Sequence, residues 1–410
     1  MACAVTGLER LARALEAGQP LPELATDPWE RLRTGRLGLV TNPSAITRDA
    51  VPAPEALVAA GARLALLFGP EHGVRGDAPD GQPVPSEVDP RLGVPVISLY
   101  GESHRPPIEA LSALDAVLFD LQDVGVRFYT YSTTLSYVME AAAEAAIPVV
   151  ILDRPNPIGG IAIEGPRLEP EHASFVGRFP TPIRHGLTIG ELGRLFHRLG
   201  AGAEPHVVRC EGWTRRQYWR ATGLPWAPPS PNMPTPETAI VYPGTCLLEG
   251  TNVSEGRGTA LPFEQFGAPW LDASEVAAAL QAMELPGARF RPTYFRPTAS
   301  KHAGATCQGA QIHVIDPEQF RPTLVGLAVL AVLRRAPQFE WRSRLATDPA
   351  TGEVRRYAID RLAGTARVRE AIDAGADPAA IAASWAEEER SFRDMVRGLW
   401  LYPTEPGCSA

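Results

Sequence analysis

Short apolar runs recur at a regular beat through the first 160 residues: "RLGLVTN" (36–42), "LALLFG" (64–69), "PVISLYG" (95–101), "AVLFDL" (116–121) and "PVVILD" (148–153). They are continuous rather than alternating, which marks strands covered on both faces. Between most of them lie alanine- and leucine-rich stretches of helical character, "PEALVAAGA", "PIEALSAL" and "STTLSYVMEAAAEAA". Strands alternating with helices predict an α/β domain built on an open, doubly wound parallel sheet. From about 205 to 270 the texture changes to Trp, Pro and Arg, as in "GWTRRQYWRATGLPWAPPSPNMPTPETAIVYPG", which predicts a long, proline-stiffened crossing. Beyond it, "DASEVAAALQAM" starts like a helix with Asp272 or Ser274 as N-cap, and "GAQIHVID" is strand-like. "LVGLAVLAVLRRA" and "DPAAIAASWAEEERSFRDMVRGL" read as helices of a smaller α+β domain. The chain has 410 residues, more than one core usually serves. The expected division is 1–242, the doubly wound domain, and 243–410, the smaller one that closes over it.

Each early strand ends in polar groups: Asn42; Glu71 and His72; Glu102, Ser103 and His104; Gln122 and Asp123; Asp153, Arg154 and Asn156. Ligands of such sheets bind outside the carboxyl ends of the strands, so these residues are expected to face one cleft. A dinucleotide is excluded as the ligand. The first strand leads into "TNPSAITRD" rather than a glycine fingerprint, and no G-x-x-x-x-G-K-[ST] occurs.

The densest chemistry lies in "LALLFGPEHGVRGDAPDGQ", where a strand runs into Glu71-His72-Gly73, then Arg75, Asp77 and Asp80. A carboxylate shielded on such a loop can act as a general acid; the plainer reading has Glu71 capping the next turn. "FDLQDVGVRFYTYSTTL" sets Gln122, Asp123, Arg127, Tyr129, Tyr131 and Ser132 between strand and helix. Aromatics beside polar groups suit a sugar ring, or a structural cluster with tyrosines in the core. Asp120 and Asp123 lack a converging ligand set for a metal. "DRPNPIGG" (153–160) reads as a rigid loop whose Asp153 and Asn156 brace the cleft. "GTNVSEGRGT" (250–259) carries Asn252, Glu255 and Arg257. Arg257 between glycines suits a bidentate contact to a carboxylate, and Glu255 is a second acid/base group or only the partner of Arg257. His185, His302 and His313 are isolated and read as structural or surface residues. The formal charge of −8, with no basic run, argues against nucleic acid or an anionic membrane as partner. Five cysteines (Cys3, Cys210, Cys246, Cys307 and Cys408) without CxxC signal neither a disulfide framework nor a zinc site. Reduced thiols, no leader-like start and no membrane span point to the cytoplasm. No metal or organic cofactor is expected.

Taken together, "LFGPEHGVRG", "DLQDVGVRFYTY", "PSPNMPTPETAIVYPG" and "EGTNVSEGRGTALPFEQFGAPW" resemble the exo-β-N-acetylmuramidase family, over residues 36–402. The resemblance implies a Rossmann-like amino-terminal domain without a nucleotide, a smaller carboxy-terminal domain and a site in the cleft between them. The implied reaction releases N-acetylmuramic acid from the non-reducing end of peptidoglycan fragments such as muropeptides. The family's proposed catalytic glutamate lies in "PEHG" and matches Glu71. Recognition of the lactyl carboxylate of the sugar calls for a cation, with Arg75, Arg127 and Arg257 as candidates. His72, Asp123, Tyr129 and Asn252 would help to position the sugar or Glu71. Glu255 or Asp123 is eligible as the second catalytic group, and so is the substrate's own acetamido oxygen. The competing reading is a two-domain protein that captures a muropeptide without cutting it.

Overall fold

The computed structural model describes residues 3–405 except 25, 77, 79–81, 83–86, 102 and 349–351; Asp77, Asp80, Glu102 and Cys408 lie outside the described residues. Seven strands form the main sheet: β1 (Leu37–Thr41), β2 (Leu64–Gly69), β3 (Glu87–Val88), β4 (Pro95–Ser98), β5 (Ala116–Asp120), β6 (Val149–Leu152) and β7 (His206–Val208). Their order is β3-β4-β2-β1-β5-β6-β7, and all neighbours are parallel except the edge pair β3–β4. The apolar runs are continuous because successive residues enter two different cores. Leu37, Leu39, Leu118 and Leu152 point to one face, where Leu8, Leu11 and Leu57 cover them. Val40, Phe68, Phe119 and Ile151 point to the other, against Leu135, Val138 and Leu192 of helices Tyr131–Glu144 and Ile189–Arg198. The chain order reverses direction between β1 and β5, so the carboxyl ends of these two strands frame the switch-point crevice.

A second sheet, order β8-β10-β9, is antiparallel: β8 (Gln265–Ala268), β9 (Ala288–Phe295) and β10 (Cys307–Val314). Helix Ala273–Gln281 starts as expected, with Asp272 Oδ1 accepting the Glu275 N–H at 2.9 Å. A hairpin follows, β11 (Ser343–Asp348) and β12 (Gly352–Tyr357). The stretch expected as a long, proline-stiffened crossing is ordered and carries regular elements of its own. It holds β7 and β8, the helix Pro236–Thr245 and a 3₁₀ turn over Cys246–Gly250. Proline is tolerated in a first helical turn, and Thr235 caps this one by accepting the Thr238 N–H. The expected division at 242/243 falls inside that helix. The chain then returns to the first sheet: the Leu401 N–H donates to Glu191 Oε1 at 2.8 Å, and the Tyr402 hydroxyl to Asp153 Oδ2 at 2.5 Å. Among the described residues no helix is long and apolar enough to cross a membrane.

Candidate active site

β2 delivers Glu71 to the carboxyl edge of the sheet, half-buried. Thr130, just ahead of helix Tyr131–Glu144, donates its hydroxyl to Glu71 Oε2 at 2.8 Å. The loops after β2 and β5 thus meet above β1, which separates the two strands. His72 is buried with φ of +72°, a conformation costly for a side chain that is not glycine. Its Nδ1 lies 2.8 Å from the Ala78 carbonyl oxygen, and the next residue, Gly73, donates its N–H to Pro70 O at 2.8 Å. The "PEHG" turn is therefore a strained, pinned structure that fixes where Glu71 projects. Arg75 lies further out, its side chain 48% exposed and 3.5 Å from Glu87. Beyond β4, His104 stacks on Phe175 with ring centroids 4.0 Å apart.

The end of β5 is more unusual. Asp120 is locked to Arg154 by two bonds of 2.5 and 3.0 Å, so it is a structural ion pair. Asp123 is buried with no such partner. Its Oδ2 accepts the N–H of Gly125 at 2.7 Å, and Gly125 adopts φ of +84° hard against Asn156. Its Oδ1 makes no well-formed hydrogen bond among the described residues, although the Val124 N–H also faces the carboxyl. Burial pushes the Asp123 carboxyl up to about 7. Facing it at 3.7 Å is Nε2 of His185, also buried and also without a hydrogen-bond partner. His185 Nδ1 accepts the Leu187 N–H at 3.1 Å, which puts the ring proton on Nε2. Burial, aided by the charges of Arg127 and Arg215, pushes its pKa down to about 3, so the ring is neutral at pH 7. Gln122 Oε1 is a third buried, unpartnered atom, and the Tyr129 hydroxyl faces Ser230 without a well-formed hydrogen bond. A carboxyl that titrates near neutrality, beside a fixed N–H donor, can hold an amide or hydroxyl and exchange a proton with it.

Asp123 also predicts a pH dependence of stability. Its folded pKa of about 7 exceeds the ordinary carboxyl value, so its contribution is fully present below about pH 4 and lost as pH rises through 7. Between about pH 5 and pH 8, urea unfolding of Asp123→Asn should lose about 2 kcal/mol less than wild type. An equal loss in both proteins would refute the assignment.

An edge-to-face chain of rings leads from here into the second domain. Tyr131 meets Tyr129 at 4.9 Å, Tyr129 meets Tyr242 at 6.1 Å and Tyr242 meets Phe263 at 4.7 Å. The Arg257 guanidinium lies 5.0 Å from the Phe263 centroid. Arg257 is ion-paired to Glu249 at 2.7 Å and to Glu255 at 3.3 Å, while Lys301 Nζ is 2.8 Å from Glu255. Glu255 is therefore held between two cations. Burial pushes Lys301 down and Glu249 up. Asn252 turns away from this cluster: its side chain bonds Gln338 O at 2.7 Å and the Glu340 N–H at 3.0 Å, which anchors residues 338–340. Arg127 is 2% exposed and donates to four carbonyl oxygens, those of Pro166, Thr181, Leu362 and Ala363. That environment makes it a tie between the domains, although its Nε, also buried, makes no hydrogen bond among the described residues. Sequence reasoning sets His185 aside as a structural or surface residue and does not single out Lys301.

Two family models match the chain, those of the amino-terminal part (residues 37–237) and the carboxy-terminal part (residues 240–402) of exo-β-N-acetylmuramidase NamZ. The chain is 44% identical over 383 residues to the peptidoglycan β-N-acetylmuramidase NamZ of Bacillus subtilis, an alignment covering 92% of this chain and 90% of the relative. Two crystal structures of DUF1343 family proteins from Bacteroides fragilis share the architecture. They superpose with TM-scores of 0.82 and 0.74 at 30% and 26% identity, each over 98% of this chain and all of the other. With both halves of the family present in order, and a curated relative matched nearly end to end, the chain belongs to the exo-β-N-acetylmuramidase NamZ family.

Proposed function

We propose that this protein is a glycoside hydrolase that releases N-acetylmuramic acid from the non-reducing end of peptidoglycan fragments, muropeptides among them. The observation that carries the mechanism is the group of buried atoms without well-formed hydrogen bonds on Gln122, Asp123 and His185, with Asp123 and Glu71 both acting on Tyr129. In this reading residues 1–242 carry the catalytic groups and residues 243–410 close over them. Glu71 gives its proton to the glycosidic oxygen as the C1–O bond breaks. Asp123 accepts the acetamido N–H of the sugar, and the acetamido oxygen bonds to C1. Water then opens this intermediate and returns a proton to Glu71. The mechanism needs no second protein nucleophile, which suits a Glu255 already held by Lys301 and Arg257. The buried free thiols Cys210, Cys246 and Cys307 support a reducing, cytoplasmic setting.

The test is release of phenol from para-nitrophenyl N-acetylmuramide and from the matching N-acetylglucosaminide. Cleavage of the muramide alone is expected; binding of a muropeptide without turnover would favour a capture protein instead. We assign the lactyl carboxylate to Arg257, which two glycines flank on the loop at the end of the ring chain. Arg257→Met should raise KM for the muramide about tenfold, in line with loss of one charge-assisted contact. An equal loss on any residual glucosaminide cleavage would reduce Arg257 to a partner of Glu249 and Glu255.

A further inference from the structure

A groove of about 520 Å³ runs between the β11–β12 hairpin and residues 171–174 of the first domain. Five arginines line it: Arg342, Arg344, Arg355, Arg356 and Arg361. Two carboxylates share the lining, Glu171 and Asp360, and Asp360 already binds Arg369 through contacts of 2.9 and 3.0 Å. Among the described residues, Arg355 donates to the Ser343 hydroxyl at 2.9 Å and Arg342 to the Glu249 carbonyl oxygen at 3.3 Å. Arg344 and Arg356 stand directly opposite each other across the hairpin, a like-charge pairing that destabilises a two-stranded ladder. A fold that keeps this repulsion beside an open groove has a use for the charge. Two of its lining residues connect in sequence towards the carboxyl edge of the main sheet. One wall leads through Ser174 to Phe175, which stacks on His104 beyond β4. The lining residue Asp360 lies two positions before Leu362, whose carbonyl Arg127 holds.

We propose that this groove is a second anion site, holding carboxylates of a peptidoglycan fragment that lie beyond the sugar being released. The proposal rests on the muramidase reading. Such carboxylates have two sources with one chemistry: the lactyl group of a later muramic acid in a peptide-free glycan, or the peptide stem where one is attached. Arginine forks match either in bidentate geometry.

The double variant Arg344→Gln/Arg355→Gln tests it, since both side chains are exposed and thermal unfolding can verify that the fold persists. Three fragments are compared: the disaccharide of N-acetylmuramic acid and N-acetylglucosamine, the peptide-free tetrasaccharide of two such units, and the disaccharide bearing its peptide. The expected result is a KM about tenfold higher for the tetrasaccharide or the peptide-bearing fragment, with the disaccharide unchanged. The difference should shrink at high salt. Whichever fragment moves identifies the source. No change in any of the three, or the same change in all, overturns the proposal. If wild type cuts none of them, the muramidase reading fails; calorimetry with the same fragments then decides the groove, binding lost in the variant supporting it and binding unchanged overturning it.

Discussion

Glu71→Gln should lower kcat on a peptidoglycan-derived muramide by about 10³-fold while KM changes little. A positioned general acid contributes about 10²–10⁴-fold, and glutamine keeps the size and polarity of the side chain while removing the proton it would donate. The Thr130 hydroxyl can still donate to the amide oxygen, so the loop should hold its shape. Leaving-group dependence sharpens the test. A nitrophenyl muramide, whose leaving group needs little protonation, should lose far less than the natural disaccharide. Equal losses on both would point to a binding role for Glu71, and near-normal hydrolysis of both would remove it from the chemistry.

Arg127→Met should destabilise the protein by about 3 kcal/mol or more in urea unfolding without changing the preference for muramides. Methionine fills much of the space but leaves the carbonyls of Pro166, Thr181, Leu362 and Ala363 without their charged donor, and unsatisfied buried acceptors cost about 1–3 kcal/mol each. Burial pushes the Arg127 pKa down to about 9, which marks how thoroughly water is excluded. Gly364 admits it: a Cβ there would sit 2.6 Å from Arg127 Nη2. Gly364→Ala should therefore reproduce part of the loss. If Arg127→Met kept full stability and lost muramide selectivity, the arginine would be a substrate cation after all.

The strands that sequence reasoning finds are continuous apolar runs, and the clearest of them are buried throughout. β1, β5 and β6 have no exposed position, and an apolar run is all that two opposed cores permit. β3 and β7 escape because they have two and three residues. β9 escapes because Arg289, Arg291 and Pro292 break its pattern on an exposed face. The site divides along the same line. Glu71 and Asp123 are legible because each closely follows an apolar run. His185 follows no strand, and only the fold brings its ring to Asp123. The task of Arg127 is equally hidden, since its acceptors come from three separate segments of chain.

Asp153 ties the end of β6 to the Thr188 and Tyr402 hydroxyls, and burial pushes its carboxyl up to about 6. Tyr402 follows it by 249 residues. During synthesis the first domain emerges from the ribosome with this carboxylate short of one donor and with Glu191 lacking the Leu401 N–H. Leu401 and Tyr402 thus act as a late clasp. A nascent chain stalled before Trp400 should be conspicuously sensitive to protease in its amino-terminal half, long after every strand of that sheet has been made.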